Sequence, residues 1–350
     1  MAIVDARDVT IFPKNGDCTI LKDKMLTSLK IVVSLGLIVY LFTRIDLARV
    51  SDVLKSANYW YLLPATLLYL GAMTNAGLKW YILLRAQGIR VPFRAVLSYT
   101  YVGFFFNNFL PANVGGDVMR GYGLARYTER AAEAAVSVAI DRIVGLMAFM
   151  SSAVVAALVA VFLMHQENLK GVEVAAILGL AAVAAGFAVI LSRRIRALVE
   201  RFFAWKLLAP FTPIYGRLSA ALNAYRHSYG PLALAFCTSL LTLVLTNFTD
   251  YLIVQSLGGG VPLIYIFLFN PIIAFVLLVP ISVGGLGVTQ AIYPFFYGLV
   301  GVPQSLAFTL SLLKQLVIYI TSLVGGVLWW RRKAGAGEAA AQPETTPTPF

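Results

Sequence analysis

The sequence predicts an all-α polytopic membrane protein: about six full transmembrane helices plus two re-entrant helical hairpins entering from opposite sides, in an inverted-repeat architecture. Three observations carry that prediction. Hydrophobic residues make up 59% of the chain and charged residues 13%, with a mean hydropathy of +0.80, more apolar surface than a soluble domain of 350 residues buries. Six segments, near 26–43, 59–83, 133–163, 172–191, 228–256 and 304–330, are apolar over the length a helix needs, about 20 residues for ~30 Å of hydrocarbon. Two further apolar stretches, 95–123 and 264–300, are each broken near the middle by one element. It reads Pro-x-Asn-Val-Gly-Gly from Pro111 to Gly116 and Pro-x-Ser-Val-Gly-Gly from Pro280 to Gly285, 169 positions later.

Taken in order, residues 1–25 form a cytoplasmic N-terminal segment. The run from Leu26 to Phe42 follows basic residues, but it is too long for the apolar part of a signal peptide and no small-x-small cleavage site follows it. It is expected to stay as the first span. Segment 46–58 and the basic stretch 193–226 have one polar and one apolar face, as interfacial helices do. The transmembrane domain covers 26–333, in halves of about 26–165 and 172–333. Residues 334–350, rich in Ala, Pro and Thr, are expected to be a disordered tail.

Lys and Arg near span ends stay cytoplasmic, so their distribution sets the orientation. With both termini inside and both broken stretches re-entrant, 20 of the 28 basic residues face the cytoplasm. The outer loops keep Arg44, Arg49, Lys55 and Lys170, and Lys30, Lys79, Arg142 and Lys314 fall within spans. Two full spans per broken stretch would leave the same loops on the same sides. The short lengths of Phe93 to Leu110 and Ile264 to Val279 favour re-entry. On this topology the two halves are inverted repeats, a form in which paired breaks mark a transporter's central site.

The chemistry gathers at the breaks. Around the first stand Asn107, Asn108, Asn113, Gly115, Gly116, Asp117 and Arg120. Unwound backbone at membrane depth must be buried in protein or line a wet cavity. A helix starting after Gly116 offers its positive end to an anion such as a lipid phosphate, and Arg120 stands one turn on, placed to pair with that phosphate or with Asp117. The same glycines permit close helix packing, and the same Asn side chains serve as caps. The second break carries no charge: Ser282, Gly284, Gly285, Gly287 and Gln290 supply hydrogen bonds and backbone freedom. Pro111, Pro280 and Gly287 are the hinge candidates.

Deeper in the spans lie Asp141 and Arg142, adjacent and therefore ~100° apart on a helix, which sends them to different partners. Lys314, ten residues into the last span, needs a partner or a bound anion; Asp250 is the candidate counter-ion. Lys79 and Asp250 otherwise read as structural or snorkelling charges.

The remaining composition excludes other classes. Cys18 and Cys237 form no disulfide framework, and no His/Cys metal spacing, nucleotide-binding loop or Ser-His-Asp order is present. No cofactor, metal or catalytic residue is expected, and the protein is not expected to be an enzyme. The net charge of +12 suits cytoplasmic loops on anionic bilayer lipids rather than nucleic acid.

The pattern Asn108-x-x-Pro111-x-x-x-Gly115-Gly-Asp-x-x-Arg120, with Pro280-x-Ser-x-Gly284-Gly-Leu-Gly287 and Leu323-Val-Gly-Gly326 before Arg331, resembles the lysylphosphatidylglycerol synthase transmembrane-region, or flippase-like, membrane proteins over roughly residues 25–333. In members with a fused aminoacyl-transferase domain, the resemblance implies that the membrane part translocates the aminoacylated lipid. No such domain is expected here, and the chain is similar to stand-alone members, linked to moving phospholipids, polyprenyl-phosphate sugars or hopanoid-type lipids. It carries Gln290 where the family usually has Glu, and Lys314 where Arg is common; the second change keeps the charge and loses the bidentate fork.

The expected function is a flippase of the cytoplasmic membrane that moves an anionic phospholipid or a polyprenyl-phosphate-linked lipid by alternating access, with Arg120, Arg142 and Lys314 meeting the head group. The alternatives are a membrane-embedded glycosyl- or phosphotransferase and a cation-coupled solute transporter. Expected partners are the lipid substrate and anionic bilayer lipids, with a homo-oligomer or a separate lipid-synthesising enzyme left open.

Overall fold

The computed structural model of the chain describes residues 47–109, 115–163, 170–191, 223, 225, 228–277 and 284–341. The expected first span, most of the basic stretch 193–226, the residues before 26 and those after 341 lie outside it. So do Pro111, Asn113, Pro280 and Ser282.

Every regular element among the described residues is helical. A surface helix, α1 (Leu47–Ser56), packs Val50 on Phe308, and a short turn at Tyr59–Tyr61 is capped by the Asn58 side chain. Then follow α2 (Leu62–Ala86), α3 (Phe93–Phe109), α4 (Gly115–Thr128) and α5 (Ala131–Leu158), the last running on into a π-helical turn, Val159–Leu163. After these come α6 (Lys170–Leu191), α7 (Tyr229–Ser256), α8 (Leu263–Val276), α9 (Val288–Gly298) and α10 (Gln304–Ala341). By length and composition, α5, α7 and the Gln304–Arg332 part of α10 are apolar enough to cross a membrane. The helix of α10 runs on to Ala341, into the expected tail, where five alanines favour it against two glycines.

The fold repeats. Helices α2 to α5 correspond in order to α7 to α10, and each neighbouring pair in one half has its counterpart in the other: α2 on α3, α3 on α4, α4 on α5, and α2 on α5. The turns repeat in detail. Behind α2, the Ile89 N–H reaches back to the Leu84 carbonyl at 3.0 Å around Gly88 (φ +74°); behind α7, the Gly259 N–H reaches Val254 at 2.9 Å around Gly258 (φ +93°). Both are helix ends of the type that needs a left-handed residue, where glycine carries no Cβ penalty.

The two halves interlock. Helix α3 packs on α10, and α8 packs on α5. At the centre α2 and α7 run antiparallel. Asn58 bonds Ser256 at 2.7 Å, Thr249 donates to Ala65, Asn75 Nδ2 bonds the Thr238 carbonyl and Thr242 Oγ1 at 2.7 and 2.8 Å, and Tyr225 Oη bonds the Leu83 carbonyl at 3.0 Å. Partners therefore descend on α7 as they ascend on α2.

Two glycine pairs set the close contacts. A Cβ on Gly325 would collide with the Tyr101 carbonyl and one on Gly326 would sit 2.8 Å from the Phe105 ring, so this motif is what lets α10 lie against α3. Gly116 meets the Gly103 backbone in the same way, joining α4 to α3. The main apolar core, around Phe269, Tyr293, Tyr297 and Ile266, lies between α2, α5 and the second half.

Candidate functional site

Antiparallel packing and the α3/α4 contact bring five charged side chains of the first half together. Asp141 Oδ1 takes Lys79 Nζ at 2.9 Å, and its Oδ2 takes Arg120 Nη2 at 2.7 Å. Arg120 Nε also holds Asp117 Oδ1 at 3.0 Å, while the other Asp117 oxygen takes Arg142 Nε at 2.6 Å. The Arg120 guanidinium lies 5.0 Å over the Trp80 ring, and Trp80 is fixed by Ser137 at 3.1 Å. Three cations against two carboxylates leave one positive charge over. Arg142 is the member that opens outward, its side chain 43% exposed against 8% for Arg120.

These residues face a cavity of about 280 Å³ lined by Lys79, Arg120, Asp141 and Arg142 on one side and by Ser239, Thr242 and Ala274 of the second half on the other. A second cavity of about 240 Å³, lined by Tyr69, Asn247, Asn270, Tyr293 and Lys314, shares Met73, Phe149, Thr242 and Ala274 with the first. A third, of about 500 Å³, adjoins both and is lined by Asn107, Asn108, Asp117, Arg142, Gly284, Gly285 and Gln315. A run of adjoining cavities, with the charged and amide side chains set into largely apolar walls, thus follows the seam between the halves.

In the second cavity Lys314 Nζ bonds Asp250 Oδ2 and Tyr293 Oη, both at 2.6 Å. Asn270 Nδ2 bonds the same Asp250 oxygen at 2.6 Å and Asn247 Oδ1 at 2.9 Å. Asp250 Oδ1 and Asn247 Nδ2, both buried, have no hydrogen-bond partner among the described residues.

The structure unites Asp117, Arg120, Asp141 and Arg142 as one network, and adjacent Asp141 and Arg142 do take different partners. It also gives Lys314 the Asp250 counter-ion. Two sequence candidates turn out to be caps. Asn107 Oδ1 accepts from the Gly116 N–H at 2.8 Å, so the start of α4 already has an acceptor where an anion was expected; Gln290 Oε1 accepts from the Gly287 N–H at 2.7 Å at the start of α9. Asn108 donates to Phe104 within its own helix at 3.0 Å. Gly284 rests against the Asn108 carbonyl, so the two breaks touch. Arg120, counted among the cytoplasmic charges, is buried because α4 folds back onto α5. Lys79, Asn247, Asn270 and Tyr293 complete the sites and are not among the sequence candidates, and Asp250 is there only as the candidate counter-ion of Lys314. The signal for the first was its charge inside a span, which marks function by default.

A chain of long apolar helices enclosing paired ionic sites at an internal seam is a multi-pass membrane protein. More narrowly, residues 27–326 match the lysylphosphatidylglycerol synthase TM region, and the chain belongs to that family. It is similar to UPF0104 membrane protein PH1989 of Pyrococcus horikoshii, 21% identical across 86% of this chain and 95% of that one. It is also similar to a UPF0104 membrane protein of Methanothermobacter thermautotrophicus, 25% identical across 77% of this chain and 85% of the relative.

Proposed function

We propose that this protein translocates an anionic lipid, a phospholipid or a polyprenyl-phosphate-linked lipid, across the cytoplasmic membrane, with both termini cytoplasmic and without ATPase or enzyme chemistry of its own. The observation that carries the reading is the network of Lys79, Asp117, Arg120, Asp141 and Arg142, net positive and opening into a cavity between the halves of an apolar helical protein. The charge left over is on Arg142, the exposed member, and an unmatched cation at membrane depth calls for an anion. That side chain makes the first contact, and Arg120 and Lys79 stand behind it. The acyl tails stay in the bilayer along outward apolar side chains such as Leu67, Leu241 and Phe248.

The antiparallel pairing of α2 with its counterpart α7 supports an inverted repeat, the arrangement in which two halves exchange conformations to give alternating access. Re-entry of α3/α4 and α8/α9 is supported by their lengths. At 17, 14, 14 and 11 residues, they reach about 16 to 26 Å, short of a full crossing. These lengths support the reading of six spans and two hairpins, with the basic loops inside.

The test is transbilayer movement of fluorescent phosphatidylglycerol in liposomes containing the full chain, read by dithionite quenching. Arg142→Gln leaves Asp117 paired with Arg120, so the protein folds; the flipping rate falls at least tenfold. A wild-type protein that moves no anionic lipid, or an R142Q variant that moves it unimpaired, refutes the assignment.

A further inference from the structure

The two ionic sites occupy similar, not identical, places in the two halves, with the charges exchanged. Asp141 stands ten residues after the start of α5 and Lys314 ten residues after the start of α10. Lys79 lies nine residues before Gly88, Asp250 eight before Gly258. Even the third members correspond: Arg120, five residues into α4, bonds Asp141, and Tyr293, five residues into α9, bonds Lys314. The pair Lys79–Asp141 thus has a near counterpart in Asp250–Lys314, with Asp250 one residue, ~100° of helix, from the position of Lys79.

Antiparallel packing separates the two copies along the membrane normal. The contacts between α2 and α7 put Ala72 nearly opposite Leu241, its own counterpart at the 169-residue offset, so the repeat axis crosses there. Lys79 is seven residues beyond that axis in one direction and Asp250 nine residues beyond it in the other, which is ~10 Å and ~14 Å at 1.5 Å per residue. One site therefore belongs to each leaflet, and the cavities that join them share four lining residues.

Resting on the lipid-translocation reading, we infer that Lys314 is a second station for the same head-group phosphate in the opposite leaflet, and that Asp250 is a tethered stand-in anion which the phosphate displaces. Lys314 lines the cavity and Asp250 sits behind it, fully buried. An empty cation site at this depth needs a resident counter-charge, because an unpaired buried ion is strongly destabilising. Asp141 does the same at the first station. The sites differ in strength: three cations and two carboxylates at the first, one of each at the second. The second station holds the anion less tightly and passes it on.

The decisive variant exchanges the pair, Asp250→Lys with Lys314→Asp. It keeps an ion pair for the fold but turns a carboxylate toward the cavity. In liposomes containing the full chain and fluorescent phosphatidylglycerol, flipping falls at least tenfold while helical circular dichroism and elution volume stay those of the wild type. The neutral pair Asp250→Asn with Lys314→Gln gives the same loss, and covers the case in which the exchanged protein fails to fold. Wild-type flipping in either folded double variant makes the pair structural and overturns the inference alone. Absence of flipping in the wild type overturns the reading beneath it.

Discussion

Asp141→Asn tests whether the first network is held together by that carboxylate. The residue is 4% exposed, and it neutralises two cations at 2.7 and 2.9 Å. Removing its charge treats the two differently. Arg120 keeps Asp117 at 3.0 Å, whereas the Lys79 ammonium keeps only the Asp141 backbone carbonyl among the described residues, also at 3.0 Å. Breaking a buried pair from one side costs about 3 to 5 kcal/mol, which raises the unfolding constant by roughly 10² to 10³·⁵. Lys79→Met in the same chain removes the stranded charge while filling its volume, so the double variant loses only about 1 to 2 kcal/mol, recovering about 2 to 3 kcal/mol of the single variant's loss. The measurement is reversible unfolding in mixed micelles followed by far-ultraviolet circular dichroism. A loss below about 1 kcal/mol for D141N, or a double variant as unstable as the single one, would show that Lys79 is neutral or solvated and would undo the charge count of the site.

Other substitutions probe the packing. Gly325→Ala drives a methyl into the Tyr101 carbonyl of α3; overpacking of this kind costs about 1 to 3 kcal/mol, read as a lower melting temperature in detergent, whereas Gly230→Ala, with open space around it, leaves melting unchanged. Gly88→Ala forces a side chain onto a residue at φ +74° and costs about 1 kcal/mol in the same assay. Asn75→Leu removes the two hydrogen bonds that join α2 to α7. It leaves the Thr238 carbonyl and the Thr242 hydroxyl only their local helix partners, and unfolding in mixed micelles becomes easier by about 1 to 3 kcal/mol.

Much of the helix plan was legible in the sequence. Span lengths of apolar residue mark α2, α5, α6, α7 and α10, since lipid forces each crossing to satisfy its own backbone hydrogen bonds. The paired breaks and the Lys314–Asp250 pair were legible for the same reason: polar groups at depth stand out. The roles of Asn107 and Gln290 were not. An amide beside a helix break reads equally as a ligand and as a cap, and only the position of the Gly116 and Gly287 N–H groups assigns them. Lys79 went unassigned because a lysine near a span end snorkels by default, and its true neighbour, Asp141, is far away in sequence.

By itself the sequence determined that this is a helical membrane protein, where most of its helices begin and end, and that a repeated Pro/Gly element, charged only in its first copy, interrupts each half. Local hydropathy and backbone chemistry act on neighbours in the chain, so a one-dimensional reading reaches them. Tertiary structure decided which charges meet. The antiparallel pairing of α2 with α7 and the fold-back of α4 onto α5 turned five scattered ions into one network, and helix packing in the second half joined Asp250 to Lys314. Electrostatics in a low-dielectric interior depends on distances of a few ångströms between groups far apart in sequence, and those distances exist only once the helices have packed.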